Sequence, residues 1–128
     1  MDKKINIGVI GLGAMGGSFA LNLINKHFNV YGIDPDKSKT EYLKKYKVKI
    51  VNSLNQLFIK CDFLITSLPS VSSYNQLLKS ILSFSKFDKQ KIIIDMNTIS
   101  IKEKKNFKNK INNINIKVLD CPVSGTGA

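Results

Sequence analysis

The chain has 128 residues, 43% of them apolar, which suits one globular domain with a buried core; no stretch approaches the roughly 18 consecutive apolar residues of a membrane-crossing helix. Its formal charge of +11 comes entirely from Lys, without a single Arg. Arg is the usual reader of base edges and phosphates, and the joint abundance of Lys, Asn and Ile follows A/T-rich codons as well as any function, so a nucleic-acid partner is disfavoured. Cys61 and Cys121 form no C-x-x-C pair, which leaves neither a disulfide framework nor zinc spacing and makes the cytosol the default. The opening MDKKINIGVIGLGAMGG has the charge order of a signal peptide, but Asn6 interrupts its apolar stretch and no A-x-A site follows.

In chain order, KINIGVI at 4–10 is a short Ile/Val-rich run bounded by glycine, the pattern of a buried strand. From Ala14 to Lys26 the apolar residues Met15, Phe19, Leu23 and Ile24 fall at helical spacing. His27 follows at the place of a helix C-cap, where its tolerance of positive φ suits it better than catalysis. NVYGID at 29–34 is a second strand, and Pro35 suits the first turn of a helix through KSKTEYLKKY. VKIV at 48–51 is a brief third strand, followed by a short helix capped by Asn52 or Ser53. Cys61 reads as a small core residue. DFLITSL at 62–68 is a strand ended by Pro69, and Tyr74, Leu77, Leu78, Ile81 and Leu82 then mark the clearest amphipathic helix. KIIIDM at 91–96 is the most obviously buried strand, 100–113 a helix whose Lys-rich run is a solvated face, and IKVLDC at 116–121 a sixth strand. Strands alternating with helices predict one doubly wound parallel α/β domain of the Rossmann type.

Gly11-x-Gly13-x-x-Gly16 follows the first strand and opens the first helix. In that context Gly11 makes a tight turn, Gly13 lets the backbone approach a pyrophosphate, and Gly16 lets the helix pack on the strand. The helix then offers free N–H groups to the phosphates. Asp34, about 20 residues on, is placed to accept from a ribose 2′-OH and to repel a 2′-phosphate, which favours NAD over NADP, although Lys37 or Lys39 is within swing of such a phosphate. The bland alternative is a glycine turn without ligand and an Asp that caps the next helix. Leu68-Pro69, Asn97-Thr98 and Pro122 to Thr126 all fall at the carboxyl ends of strands, the edge where such sheets bind ligands; Thr98 serves equally as a helix cap, and for Ser67 and Ser70 strand-end and cap roles are preferred.

GLGAMGGSFALNL, TSLP, IIIDMNTIS and DCPVSGTGA, in this order, resemble the β-hydroxyacid dehydrogenases, the 3-hydroxyisobutyrate dehydrogenase family related to 6-phosphogluconate dehydrogenase. The resemblance covers the whole chain. It implies a nicotinamide-dependent enzyme acting on a short 3-hydroxy acid, with Gly11, Leu12, Gly13, Met15 and Gly16 as the pyrophosphate loop. It further implies cofactor contacts at Leu68, Pro69 and Thr98, and a substrate-carboxylate loop at Ser124, Gly125 and Thr126. Thr126 stands where many members have a second Gly, and His27 where a helix-ending Gly is usual. GGSFAL and VYGIDPD also resemble prephenate dehydrogenases, which DMNTIS and DCPVSG fit poorly. The family's general acid/base Lys lies beyond residue 128, in a helical second domain that closes the site and makes the dimer. No catalytic residue maps onto residues 1–128. The expectation is an NAD-binding domain cut at its substrate loop and inactive alone; the alternative is a free-standing NAD(H)-binding module.

Overall fold

The structure, a computed structural model, describes residues 4–123. The expected alternation is realised as β1 (Asn6–Ile10), α1 (Ala14–Asn25), β2 (Asn29–Ile33), α2 (Lys37–Lys44), β3 (Lys49–Ile50) and α3 (Leu54–Lys60), then β4 (Phe63–Thr66), α4 (Val71–Ile81), β5 (Lys91–Asp95), α5 (Ile101–Lys110) and β6 (Ile116–Asp120). A short 3-10 turn at Asn112–Ile114 separates α5 from β6. All six strands are parallel, in the order β3-β2-β1-β4-β5-β6. The chain therefore winds outward from β1 to β3, returns through α3, and builds the other half from β4. The reversal between β1 and β4 opens a crevice at the carboxyl ends of these strands.

Strand residues divide between two cores by alternation. Val9 and Val30 join Leu12, Ala20, Leu43 and Val48 beneath α1 and α2. Ile10, Leu64, Ile93, Ile116 and Val118 join Phe58, Tyr74, Leu78, Ile81, Phe107 and Ile111 from α3, α4 and α5. Cys61 is wholly buried in this second core. The amphipathic pattern of α4 is met in full, with Tyr74, Leu77, Leu78 and Ile81 inside. On α5 only Phe107 is buried, and the Lys-rich run lies on the outer surface, apart from Lys104, which pairs with Asp120.

Local chemistry sets most helix ends. Asp36 caps α2 through the Ser38 N–H, which leaves Pro35 ahead of the cap rather than in the first turn, while Ser53, Ser70 and Ser100 cap α3, α4 and α5. Ser100 thereby takes the cap role that Thr98 offered. At the end of α1 the His27 N–H donates to Ile24 O and the Phe28 N–H to Leu23 O, with His27 at φ 69. That is a Schellman closure with His in the left-handed position usually given to Gly. Lys47, at φ 73, closes α2 with the same pair of bonds, to Lys44 O and from Val48 to Leu43 O.

One face of the sheet is unevenly covered. Phe63 pairs in register with Ile92, and Ile65 with Ile94 and then Leu119, all on the side where α1 and α2 cover β1 to β3. Phe63 is 36% exposed and Leu119 39%. No described helix is long and apolar enough to cross a membrane.

Two outcomes test this packing. A Cβ on Gly16 would overlap the Gly11 carbonyl oxygen, so Gly16→Ala forces α1 off the turn. It should cost about 2 kcal/mol or more in urea unfolding. Burial also pushes the Cys61 thiol up to about 12. A thiol reagent at pH 8 should therefore label exposed Cys121 in the native protein and reach Cys61 only after unfolding, as read by mass spectrometry.

Candidate functional site

The glycine turn is fastened from both flanking strands. Gly11 N–H donates to Ile33 O of β2 at 3.1 Å, and Ser67 N–H donates to Ile10 O at 3.0 Å. Gly11 itself sits at φ +91, and a Cβ there would overlap the Ser67 carbonyl oxygen. Only glycine meets both demands. Leu12 N–H then donates to Asp34 Oδ2 at 2.8 Å, while Asp34 Oδ1 accepts from Asp36 N–H at 2.8 Å. Asp34 thus braces the turn against the end of β2, and each carboxylate oxygen keeps a further lone pair for a ligand hydroxyl.

The amino end of α1 differs from that of every other described α-helix in that no side chain caps it, and no acid lies in its first turn. Its first N–H groups and partial positive charge face the crevice, and a Cβ on Gly13 would stand 3.9 Å from the Lys39 ammonium. A polar, anion-accepting floor is the result, with a cation above it. Glycine at 13 keeps that floor low enough for a diphosphate to rest on backbone.

A cleft of about 630 Å³ runs along this edge, lined by Gly11, Gly13, Met15, Asp34, Leu68 and Pro69 among others. Six of the expected cofactor residues are therefore brought together. Leu12 and Gly16 stand behind it: Leu12 is buried in the core under α1, and Gly16 packs on the turn. Thr98 is exposed and lies outside the cleft wall, where its Oγ1 donates to Val123 O at 3.3 Å. Ser124, Gly125 and Thr126 lie outside the described residues. A larger hollow, about 780 Å³, opens at the opposite end of the sheet beside Lys4, His27, Lys45, Lys47 and Lys49. It adjoins the carboxyl ends of α1 and α2, where helix dipoles favour such cations, and is far from the switch point.

Sequence reading overlooked a buried polar cluster behind the Leu68 wall. Asp95, 1% exposed, accepts from Tyr74 OH at 2.7 Å, Asn97 N–H at 3.0 Å, Asn97 Nδ2 at 2.8 Å and Thr66 Oγ1 at 3.4 Å. Asn97 Oδ1 in turn accepts from Leu68 N–H at 2.6 Å. Burial and then the Asp95 bond raise the Tyr74 phenol well above its ordinary range, which favours the neutral, donating hydroxyl. In sequence Tyr74 is one more member of an apolar stripe, and no local signal announces its hydroxyl. At the mouth, hydrogen bonds from the Ser38 side chain and then its backbone hold the Asp36 carboxyl below the usual range. Among the described residues, no group of three or more His, Cys, Asp or Glu could hold a metal.

With this geometry in view, comparison with known proteins is specific. The family model for the NAD binding domain of 6-phosphogluconate dehydrogenase matches residues 6–128. A probable mitochondrial 3-hydroxyisobutyrate dehydrogenase of Dictyostelium discoideum is 32% identical over 93% of this chain and 37% of its own length. A 2-(hydroxymethyl)glutarate dehydrogenase of Eubacterium barkeri is 28% identical over 98% of the chain and 42% of its own. A solved 3-hydroxyisobutyrate dehydrogenase of Mycobacterium tuberculosis, with L-serine, superposes with a TM-score of 0.87 at 25% identity, covering 98% of this chain and 42% of that one. The chain spans less than half the length of each. It belongs to the 3-hydroxyisobutyrate (β-hydroxyacid) dehydrogenase family, in the part that forms the 6-phosphogluconate dehydrogenase type of NAD-binding domain.

Proposed function

We propose that residues 1–128 act as the cofactor half of a dehydrogenase that moves hydride between NAD and a short 3-hydroxy acid. The observation that carries this is the uncapped amino end of α1 above Gly11, Gly13 and Gly16, braced by Asp34. The bound nicotinamide would supply the hydride acceptor. Gly13, Ala14 and Met15 would hold the diphosphate through backbone N–H groups, and Asp34 the adenosine ribose through its remaining lone pairs. Leu68 and Pro69 would border the nicotinamide half. Thr98, tied to Val123, lies beside the chain that leads into Ser124, Gly125 and Thr126, and those three would take the substrate carboxylate. Asp34 and Asp36 both line the adenosine end, where two carboxylates against the single Lys39 ammonium oppose a 2′-phosphate and support NAD over NADP.

Oxidation of an alcohol also needs a base for the hydroxyl proton, a contribution of roughly 10²- to 10⁴-fold. Lys39 is the one Lys among the residues that line the cleft, and it lies at the adenosine end, away from the Thr98 side. We therefore assign the base to a part of the enzyme outside residues 1–128. The half-covered rows at Phe63, Ile94 and Leu119 favour this reading over a free-standing NAD(H) module, because parallel sheets are as a rule covered on both faces.

NADH titrated into the protein should bind with enhanced nicotinamide fluorescence, and NADPH should bind about tenfold more weakly. Asp34→Asn should weaken NADH by about tenfold and narrow the gap to NADPH; an unchanged ratio would remove Asp34 from cofactor selection. Residues 1–128 alone should reduce no NAD with 3-hydroxyisobutyrate or L-serine, and turnover by them would refute the assignment of the base.

A further inference from the structure

We propose that Asn97 is a positioning residue, which fixes the Leu68–Pro69 wall of the cofactor cleft by taking the Leu68 N–H and is itself held by the buried Asp95 carboxylate. The backbone donors of residues 67–70 have different fates. Ser67 N–H goes to Ile10 O, and Ser70 N–H goes to the Ser73 hydroxyl within the capping box of α4. Pro69 has no N–H. Leu68 N–H remains, and it is met by a side chain from the loop after β5, at 2.6 Å. That bond ties the wall to the β5 side of the sheet, while the Ser67 bond ties it to β1.

An amide is suited to this post because three partners converge on it with different demands. Oδ1 must accept from Leu68, and Nδ2 must donate both to Asp95 Oδ1 at 2.8 Å and to Thr66 Oγ1 at 3.0 Å. Asn97 is 5% exposed, so water cannot stand in for a lost partner. Its own N–H also donates to Asp95, which fixes the backbone from which the side chain projects. The wall in turn leans on the glycine turn: Leu68 Cδ2 lies 3.2 Å from where a Gly11 Cβ would be. A wall released from Asn97 can swing away from that turn and widen the cleft at its nicotinamide half.

The competing view is that the cluster merely stabilises the core, and Tyr74 separates the two. Tyr74 donates to the same Asp95 carboxylate yet makes no bond to the wall. The comparison is therefore Asn97→Ala against Tyr74→Phe, well below the melting temperature of each. The first readout is hydrogen exchange at the Leu68 amide by NMR; the second is the NADH dissociation constant, which alone rests on the proposed function. Asn97→Ala should speed Leu68 exchange by at least about tenfold and weaken NADH about tenfold, whereas Tyr74→Phe should lower the melting temperature and leave both readouts in place. Should Asn97→Ala not fold, Asn97→Ser keeps a hydroxyl for Asp95 but is too short for Leu68, and is expected to behave the same way. Equal effects of the Asn97 and Tyr74 variants on Leu68 exchange, or none from either, would overturn the inference. Loss of the exchange effect and absence of NADH binding to the wild-type protein are separate results: the first removes the positioning role, the second the cofactor reading.

Discussion

The backbone at Gly11, where Gly16 crosses it, is held in a space too small for any side chain, and much of the domain is arranged around that crowding. Gly11 is pinned to β2 by its own N–H and pressed against the Ser67 carbonyl of the β4 loop, while Gly16 brings α1 down onto the Gly11 carbonyl. Three elements meet there without a side chain between them. The same close approach that makes substitution costly leaves the first N–H groups of α1 free to face a ligand. Packing and binding are thus two results of one steric fact.

Around this point the sheet works as two differently anchored halves. On the β2 side the anchor is one carboxylate hydrogen-bonded to backbone: Asp34 takes an N–H on each oxygen and joins the turn to the entry of α2. On the β5 side it is a buried polar cluster, where Asp95 gathers Tyr74 from α4, Thr66 from β4 and Asn97 from its own loop. No buried polar side-chain atom lacks a partner among the described residues. A carboxylate so deep in the second core is tolerated because every donor around it is committed to it. The crevice between the halves inherits its shape from both anchors.

The two faces of the sheet are unevenly covered. The rows through Phe63, Ile65 and Leu119 present apolar side chains on the face where α1 and α2 cover only β1 to β3. The opposite face of the same strands is closed by α4 and α5. Parallel sheets are as a rule covered on both faces, and here Phe63 and Leu119 stay partly exposed.

Most of the architecture was legible in the sequence, because its signals are local. Apolar Ile/Val runs, helical spacing in 74–82 and the Ser caps at 53, 70 and 100 each express the covalent and steric preferences of a few neighbouring residues. Glycines at 11, 13 and 16 and the acid at 34 were readable for the same reason, since a strand, a turn and a helix in succession place them at one edge. What could not be read there depends on residues far apart in the chain. The Tyr74 hydroxyl finds Asp95 across 21 positions because α4 packs on the sheet, and Asn97 finds Leu68 across 29 because β4 and β5 are paired. The bond from Thr98 Oγ1 to Val123 O, across 25 positions, is of the same kind. The sequence by itself determined which segments become strands and helices, their winding and the edge that binds. Tertiary structure alone decided which polar groups meet, because hydrogen-bond partners are set by distances that no local preference encodes.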